Sequence, residues 1–112
     1  MPEGPEIRRA ADKIAAVLEN EVIEELFLGL ERLKKFRQIL TGARVCSIET
    51  RGKALLTHFN TDWTLYSHNQ LYGVWRVVDR GQYPTTKRTL RVALHTARHS
   101  ALLYSASDIW VL

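Results

Sequence analysis

The hydrophobic pattern is mainly helical near the start of the chain and alternating from residue 45 onward, and this change constrains the fold more than any other feature. Between residues 5 and 18 apolar side chains recur every three or four residues, which is typical of an amphipathic helix. From residue 45 onward they alternate, in short runs separated by turns of a few residues. Because parallel strands need long crossovers, strands joined so closely are expected to pair antiparallel.

The pattern predicts a first helix of about four turns starting near Pro5 and a shorter second helix from Leu30 to Leu40, which Thr41 and Gly42 end. Strands are predicted at residues 22–28, 45–49, 54–59, 63–67, 74–78, 90–96, 101–104 and 109–112. The predicted fold is mainly β with flanking α-helices: an antiparallel β-sandwich of about eight strands with two helices.

Composition limits the class of protein. A chain of 112 residues that is 46% apolar suits one domain, residues 1–112, and a net charge of +4 suits a polyanionic partner. The single cysteine, Cys46, excludes an internal disulfide and a multi-cysteine zinc site. No run of about 20 apolar residues and no signal peptide is present, so we expect a cytoplasmic protein with no membrane partner. The chain stops directly after a strand-like run, which suggests a cut.

The start of the chain, Met1-Pro2, carries the first chemical candidate. Removal of Met1 would leave Pro2 with a secondary α-amine, and α-amines have a pKa near 8, so a sizeable fraction is unprotonated at neutral pH. Condensation of such an amine with an aldehyde carbon gives an iminium cation, which can drive elimination at the neighbouring carbons. The alternative is an ordinary start in which Pro2 only begins a helix.

Two carboxylates follow within the first turn and a half of the predicted helix, Glu3 and Glu6. One of them can donate and accept a proton at the carbon that the amine attacks. Both also suit helix capping and compensation of the helix dipole, and spacing alone favours that structural role.

Two turns suit contact with nucleic acid. Arg51-Gly52-Lys53 lies at a predicted hairpin tip, where two cations can grip phosphates or simply face solvent. The segment from His68 to Gly73 carries Gln70, Leu71 and Tyr72, of which Leu71 and Tyr72 either pack into the core or wedge between bases.

The aromatic and histidine side chains of the strands are interpreted structurally. We expect Trp63, Trp75, Trp110, Tyr66 and Tyr104 to belong to the core. For His58, His95 and His99 the sequence shows no ligand spacing and no partner, so we expect surface or strand positions.

Taken together, Pro2-Glu3-Gly4-Pro5-Glu6-Ile7-Arg8-Arg9, Thr50-Arg51-Gly52-Lys53-Ala54-Leu55-Leu56 and the run from Ser67 to Trp75 closely resemble the N-terminal catalytic domain of the formamidopyrimidine-DNA glycosylase family, in its bacterial endonuclease VIII branch. The resemblance covers nearly all of the chain in register. It implies base-excision repair of DNA: removal of oxidised pyrimidines, followed by β,δ-elimination of the abasic strand.

The resemblance also implies roles for residues. Pro2 would be the nucleophile at the sugar C1′ and Glu3 the proton shuttle, with Glu6 as a supporting carboxylate. Lys53 would contact the DNA backbone near the lesion, His68 would contact a phosphate, and Gln70, Leu71 and Tyr72 would fill the space left by the flipped nucleotide.

The departure from the family is at the end of the chain, since its members continue into a helix-two-turn-helix segment and a zinc finger. We therefore expect an isolated domain. No cofactor is expected in this chain, since zinc is expected only in that finger. The partner is expected to be damaged double-stranded DNA, bound by a monomer. Two other functions stay open. One is a domain that binds DNA weakly with little catalysis. The other is a tautomerase that uses Pro2 as a base, although those enzymes begin with a strand.

Overall fold

A computed structural model of the chain describes residues 3–69 and 72–112, with the backbone alone for residues 3–5. Helix α1 (Glu3–Leu18) comes first, and a 3-10 helix (Glu31–Phe36) runs directly into α2 (Arg37–Leu40). The strands are β1 (Glu25–Leu28), β2 (Val45–Arg51), β3 (Ala54–Phe59), β4 (Thr64–His68), β5 (Val74–Asp79), β6 (Leu90–His95), β7 (His99–Tyr104) and β8 (Asp108–Val111).

The strands form two antiparallel sheets. Sheet one has the order β1-β6-β7-β5, and sheet two has the order β2-β3-β4-β8. The predicted antiparallel sandwich of about eight strands with two helices is therefore confirmed in the described part of the chain. The second helix, predicted from Leu30 to Leu40, differs from the prediction, because Glu31–Phe36 forms a 3-10 helix and only Arg37–Leu40 is α-helical. Over so short a segment, periods of 3.0 and 3.6 residues give nearly the same pattern.

The first and last strands are exchanged between the sheets. Strand β1 precedes all of sheet two in the chain but pairs with β6 in sheet one, where Leu26 lies opposite Leu94. Strand β8 follows all of sheet one but pairs with β4 in sheet two, where Leu65 lies opposite Val111. Each sheet thus takes one edge strand from the far side of the sequence.

Both sheets and both helices share one large hydrophobic core, and a second, smaller cluster contains Ala93, Leu102 and Tyr104. Helix α1 contributes a single apolar stripe at the predicted spacing, and the sheets contribute alternate residues of their inner faces. The largest fully buried side chains are Ile14, Leu18, Ile23, Leu33, Leu40, Val45, Leu55, Leu65, Leu94, Leu102, Leu103 and Ile109. In the described ranges, no helix is long and apolar enough to cross a bilayer.

The aromatic side chains divide between the core and the surface. Trp75 and Tyr104 are buried, and Trp63 packs edge-to-face on Phe36 at 5.1 Å between ring centroids. For Trp110 the core prediction is wrong: it is 45% exposed. Alternation tells which residues share a face of a strand, but not whether another layer covers that face.

Trp110 and its cross-strand neighbour Tyr66, which is only half-buried, lie on the outer face of sheet two. The Arg32 guanidinium sits 4.3 Å from the centre of the Trp110 ring and donates hydrogen bonds to the carbonyls of Ser107 and Ile109. The exposed ring therefore supports the contact between the 3-10 helix and β8.

The turns collect at two ends of the sandwich. We call one the hairpin end: it holds the β2–β3 hairpin, the β4–β5 loop, the last residues before β6, and the β7–β8 turn. We call the other the His95 end, where β6 ends and β7 begins at His99. Helix α1 spans the two ends, because Arg8 contacts Thr50 near the hairpin and Asn20, just beyond the helix, bonds to Val45 at the far end of β2.

Candidate functional site

The β2–β3 hairpin has the two-residue turn that the sequence predicts. Arg51 pairs with Ala54, so Gly52 and Lys53 are the two central residues, and Gly52 has a φ of +59°. A positive φ at the first central residue matches the right-handed twist of the flanking strands and favours glycine there. Lys53 is thereby held at the tip of the hairpin.

Arg51, the other cation of this turn, does not project from the hairpin tip. The Arg51 side chain folds back along its own strand and its Nε donates to Glu49 Oε2 at 2.8 Å. Glu49 also bonds to His58 Nε2 at 2.8 Å, and these hydrogen bonds, from His58 first and then from Arg51, lower the pKa of the Glu49 carboxyl. Arg51 is therefore partly neutralised by Glu49.

The β4–β5 loop lies directly beside the hairpin tip. The Asn69 amide donates to the Lys53 carbonyl at 3.3 Å, which continues the β3–β4 pairing by one residue. The loop closes on itself, because the Gly73 amide donates to the Asn69 carbonyl at 2.7 Å. Gln70 and Leu71 lie outside the described residues.

Tyr72 is the described member of the predicted wedge, and it is 69% exposed. Its backbone is nevertheless fixed, since its carbonyl accepts a hydrogen bond of 2.9 Å from Arg88 Nη1. The sequence left two positions open for Tyr72, packing in the core or exposure as a wedge, and its exposure excludes packing in the core. Its aromatic ring is exposed and its backbone is anchored by Arg88.

The start of α1 reaches the same end of the molecule. Arg8, in the second turn of the helix, directs its Nη1 to Thr50 Oγ1 at 3.5 Å, one residue before the hairpin turn begins. Glu3 is the first residue of the helix, and Glu6 is exposed in its first turn. Pro2 and the side chain of Glu3 lie outside the described residues.

His68 ends β4 in sheet two. It lies opposite Ala54, the first residue after the hairpin turn, and opposite Asp108 on its other side. Its side chain is half-buried. Strand pairing thus places His68 next to the hairpin and one residue before the β4–β5 loop.

These contacts gather three segments that are far apart in the sequence: the first turns of α1, the hairpin tip and the loop that carries Tyr72. The hairpin is the common neighbour, through Thr50 on one side and Lys53 on the other. The result is a surface with basic side chains and one exposed aromatic ring, a combination that suits a nucleic-acid backbone together with a base.

Sequence reasoning missed three contributors to this surface. Arg8 bonds to Thr50, 42 positions away, and Arg88 bonds to Tyr72, 16 positions away. A local sequence pattern cannot predict contacts over such distances. Gly73 was only a flanking turn signal. Yet a Cβ at that position would lie 2.7 Å from the Asn69 backbone, so the closed loop requires glycine. Among the described residues, no group of three or more His, Cys, Asp and Glu side chains is arranged to hold a metal ion.

The chain matches the family model of the formamidopyrimidine-DNA glycosylase N-terminal domain over residues 1–107. The chain belongs to this family. It is 59% identical over all 112 residues to Endonuclease 8 of Klebsiella pneumoniae strain 342, and 58% identical to Endonuclease 8 of Escherichia coli O1:K1 / APEC. In both comparisons the match covers 100% of this chain and 43% of the relative, so the chain spans less than half the length of these relatives.

Solved structures of the family have the same fold. An inhibited LlFpg in complex with DNA containing N7-benzyl-Fapy-dG matches 96% of this chain and 42% of its own, with a TM-score of 0.81 and 18% identity. Lactococcus lactis Fpg (MutM) in complex with DNA containing Fapy-dG matches 90% of this chain and 39% of its own, with a TM-score of 0.77 and 20% identity. The two-sheet architecture with its helices is therefore that of the family.

Proposed function

We propose that the chain is the catalytic domain of a bifunctional DNA glycosylase and abasic-site lyase, which acts in base-excision repair on oxidised pyrimidines. One observation of the structure carries the proposal: the first turns of α1, the hairpin of Lys53 and the loop of Tyr72 meet at one end of the sandwich. The family and the names of the Endonuclease 8 relatives support the repair function. The substrate is damaged double-stranded DNA.

In the proposed reaction, the secondary amine of Pro2 attacks the sugar C1′ and the bond to the damaged base breaks. Glu3 donates a proton to the ring oxygen, so the sugar opens to an iminium cation. Loss of a C2′ proton into this electron sink expels the 3′ phosphate, a second elimination expels the 5′ phosphate, and water then releases Pro2. Glu6, exposed in the first helical turn, supports the same region as a second carboxylate.

The remaining residues bind the DNA. Lys53 attracts the backbone at the lesion, and His68, beside the hairpin, contacts a neighbouring phosphate. To expose C1′ the nucleotide must leave the base stack, and Gln70, Leu71 and Tyr72 fill the vacated space and offset lost stacking. The domain acts as a monomer, and any zinc belongs to the finger of the longer family members.

The decisive experiment is borohydride reduction of the chain mixed with duplex DNA that carries an abasic site. If Pro2 is the nucleophile, intact mass will show a covalent adduct, and peptide mapping will place it on the N-terminal proline. Retention of Met1 or the change Pro2→Gly should lower the yield sharply, whereas Lys34→Gln, on the 3-10 helix, should not. An adduct mapped to a lysine of the unmodified chain contradicts the assignment.

Two other functions give different results in this experiment. A domain that only binds DNA would shift the duplex in a binding assay and form no adduct. A tautomerase would turn over a small keto acid and ignore abasic DNA. The helix that begins at Glu3 speaks against that second function, since an N-terminal proline base of that class begins a strand.

A further inference from the structure

Arg88 joins three chain segments at the hairpin end of the sandwich. It lies in the loop between β5 and β6, two residues before β6 begins. Its Nη1 donates to the Tyr72 carbonyl at 2.9 Å and to Ser105 Oγ at 3.3 Å, in the turn between β7 and β8. One guanidinium nitrogen thus connects the loop of Tyr72 to two other turns.

The base of the Arg88 side chain is itself held in place. Its backbone amide donates to Thr86 Oγ1 at 3.1 Å, and the next residue, Thr89, accepts a hydrogen bond of 2.9 Å from the Ser105 amide. Ser105 has a φ of +64°, and both its amide and its hydroxyl form hydrogen bonds with this loop. Because the guanidinium is planar and its donors are fixed relative to one another, little freedom remains to be lost in these bonds.

The hydrogen bond from Arg88 to the Tyr72 carbonyl acts together with a second hydrogen bond in the same peptide group. The Tyr72 carbonyl and the Gly73 amide belong to the same peptide group, and that amide donates to the Asn69 carbonyl at 2.7 Å. Both polar atoms of this peptide are therefore bonded, one to Arg88 and one to Asn69. A peptide plane held at both ends restrains the backbone from which the Tyr72 side chain projects, and that side chain is 69% exposed.

We propose that Arg88 is a positioning residue for Tyr72: it holds the backbone that presents the ring to the duplex. The inference rests on the proposed function for its role in base excision, and on the structure for the contact itself. A loop backbone that is already restrained loses less conformational entropy when its side chain inserts, so the step that extrudes the damaged nucleotide is faster. Cleavage at an abasic site requires no base to be extruded and gains less from this order.

The first test is amide hydrogen exchange of Gly73 in the chain without DNA. In Arg88→Ala the Gly73 amide should exchange about three- to tenfold faster than in the wild type, since an exposed hydrogen bond to a charged group contributes modestly. Arg98→Ala is the matched control: it removes an exposed arginine from the turn between β6 and β7, at the His95 end. Equal Gly73 exchange in Arg88→Ala and in the wild type would overturn the proposal.

The second test compares two activities of each variant. Arg88→Ala should slow excision of a paired oxidised pyrimidine about tenfold and change cleavage of a preformed abasic site less than about twofold. Arg88→Lys keeps the charge but loses the planar donor group, so it should behave like Arg88→Ala. Recovery of the wild-type excision rate in Arg88→Lys would mean that charge alone matters, and would refute positioning.

A third variant addresses the partner of Arg88. Ser105→Gly removes the second acceptor and tolerates the positive φ, so it should accelerate Gly73 exchange less than Arg88→Ala does. If the wild-type chain neither excises nor cleaves, the proposed function fails, while the exchange rates still decide whether Arg88 holds Tyr72.

Discussion

At the His95 end of the sandwich the Arg80 guanidinium binds two carboxylates, those of Glu24 and Glu25, whereas at the hairpin end Arg88 binds two neutral oxygens. The hydrogen bond that Arg80 donates to Glu24 raises the pKa of Arg80, so this cation stays fully charged and is compensated by its neighbours. Arg88 keeps its positive charge available to the surroundings. Arg80 thus closes a contact whose charges compensate each other, whereas Arg88 closes a contact with uncharged acceptors.

The two ends also differ in their tyrosines. Tyr72 at the hairpin end is 69% exposed and is anchored through its backbone, whereas Tyr83 is 50% exposed and bonds through its hydroxyl to His95 Nε2 at 3.0 Å. His95 in turn bonds through Nδ1 to Ser100 Oγ at 2.6 Å. His95 lies on a strand as expected, but the sequence showed no partner for it or for His58, and both have partners; His95 is buried on the outer face of sheet one. Tyr83 is therefore held through its side chain, whereas Tyr72 is held through its backbone and leaves its ring exposed.

The largest expected effect comes from removing the proposed proton shuttle. Glu3→Gln should lower the rate of base excision by about 10²–10⁴-fold, the usual contribution of general acid–base catalysis. Its effect on stability should be small, because a first-turn carboxylate interacts with the helix dipole by only about 0.3–1 kcal/mol. Single-turnover excision and thermal unfolding measure the two effects. Glu24→Gln, at the His95 end, is the control. An equal loss of excision in Glu24→Gln would show that the effect is not specific to the hairpin end.

The two tyrosines give the second largest effect. Tyr72→Ala should slow excision of a paired damaged base about tenfold, since stacking contributes about 1–3 kcal/mol per base, and should leave the unfolding free energy within about 0.5 kcal/mol. Tyr83→Ala should do the reverse: it leaves the buried His95 nitrogen without its partner, which costs about 1–3 kcal/mol, and spares excision. Denaturant unfolding and excision kinetics of both variants test this. A marked loss of stability in Tyr72→Ala would contradict the exposed position of Tyr72 and its role at the DNA.

The third effect is a pH dependence of stability from His95. Burial lowers the pKa of the His95 imidazole, Arg80 lowers it further and Glu25 opposes the change, while Tyr83 and Ser100 bond to the ring. The folded state therefore binds fewer protons than the unfolded state once the pH falls below about 6.5, the ordinary pKa of histidine. Stability should decrease as the pH is lowered from about 7, until the pH falls below the folded-state pKa of His95.

The slope of this loss should not exceed about 1.4 kcal/mol per pH unit, because a single proton is involved. Urea unfolding between pH 7.5 and 5 measures it, and His95→Gln should flatten the profile. The pKa of Glu49 is also lowered, but its effect appears only as the pH falls below about 4.5 and so does not overlap. A profile that stays steep in His95→Gln would assign the pH dependence to another group.

The smallest effect concerns a single phosphate contact. Lys53→Ala should weaken duplex binding severalfold and lower the slope of log affinity against log salt by about 1. Arg98→Ala removes the same charge at the His95 end and should leave the slope unchanged. Fluorescence anisotropy over a series of salt concentrations compares the two. Equal changes in the slope of the two variants would mean that duplex binding depends on the total charge of the domain and not on the position of Lys53.

Strand periodicity predicted much of this fold. The bounds of β3 were predicted to the residue, and the Gly52 turn followed from chemistry that is local to four residues. The errors have a common cause. Exposure of Trp110, the partners of His95 and the anchoring of Tyr72 by Arg88 all depend on segments distant in the chain, whose positions follow only from the assembled sheets. The site was predictable as a set of motifs, but not as a set of contacts.

The exchange of the edge strands makes the two halves of the chain dependent on each other. A cut between β4 and β5 would leave the first fragment with three strands of sheet two and one orphaned strand of sheet one, and the second fragment with the converse. Neither fragment could complete a sheet, so each would have to recruit the other before it could fold. Pairing of β1 with β6 must also wait for some 60 residues to be synthesised and closed into a loop. Such topology slows folding, and it ties the hairpin end to the integrity of the whole domain.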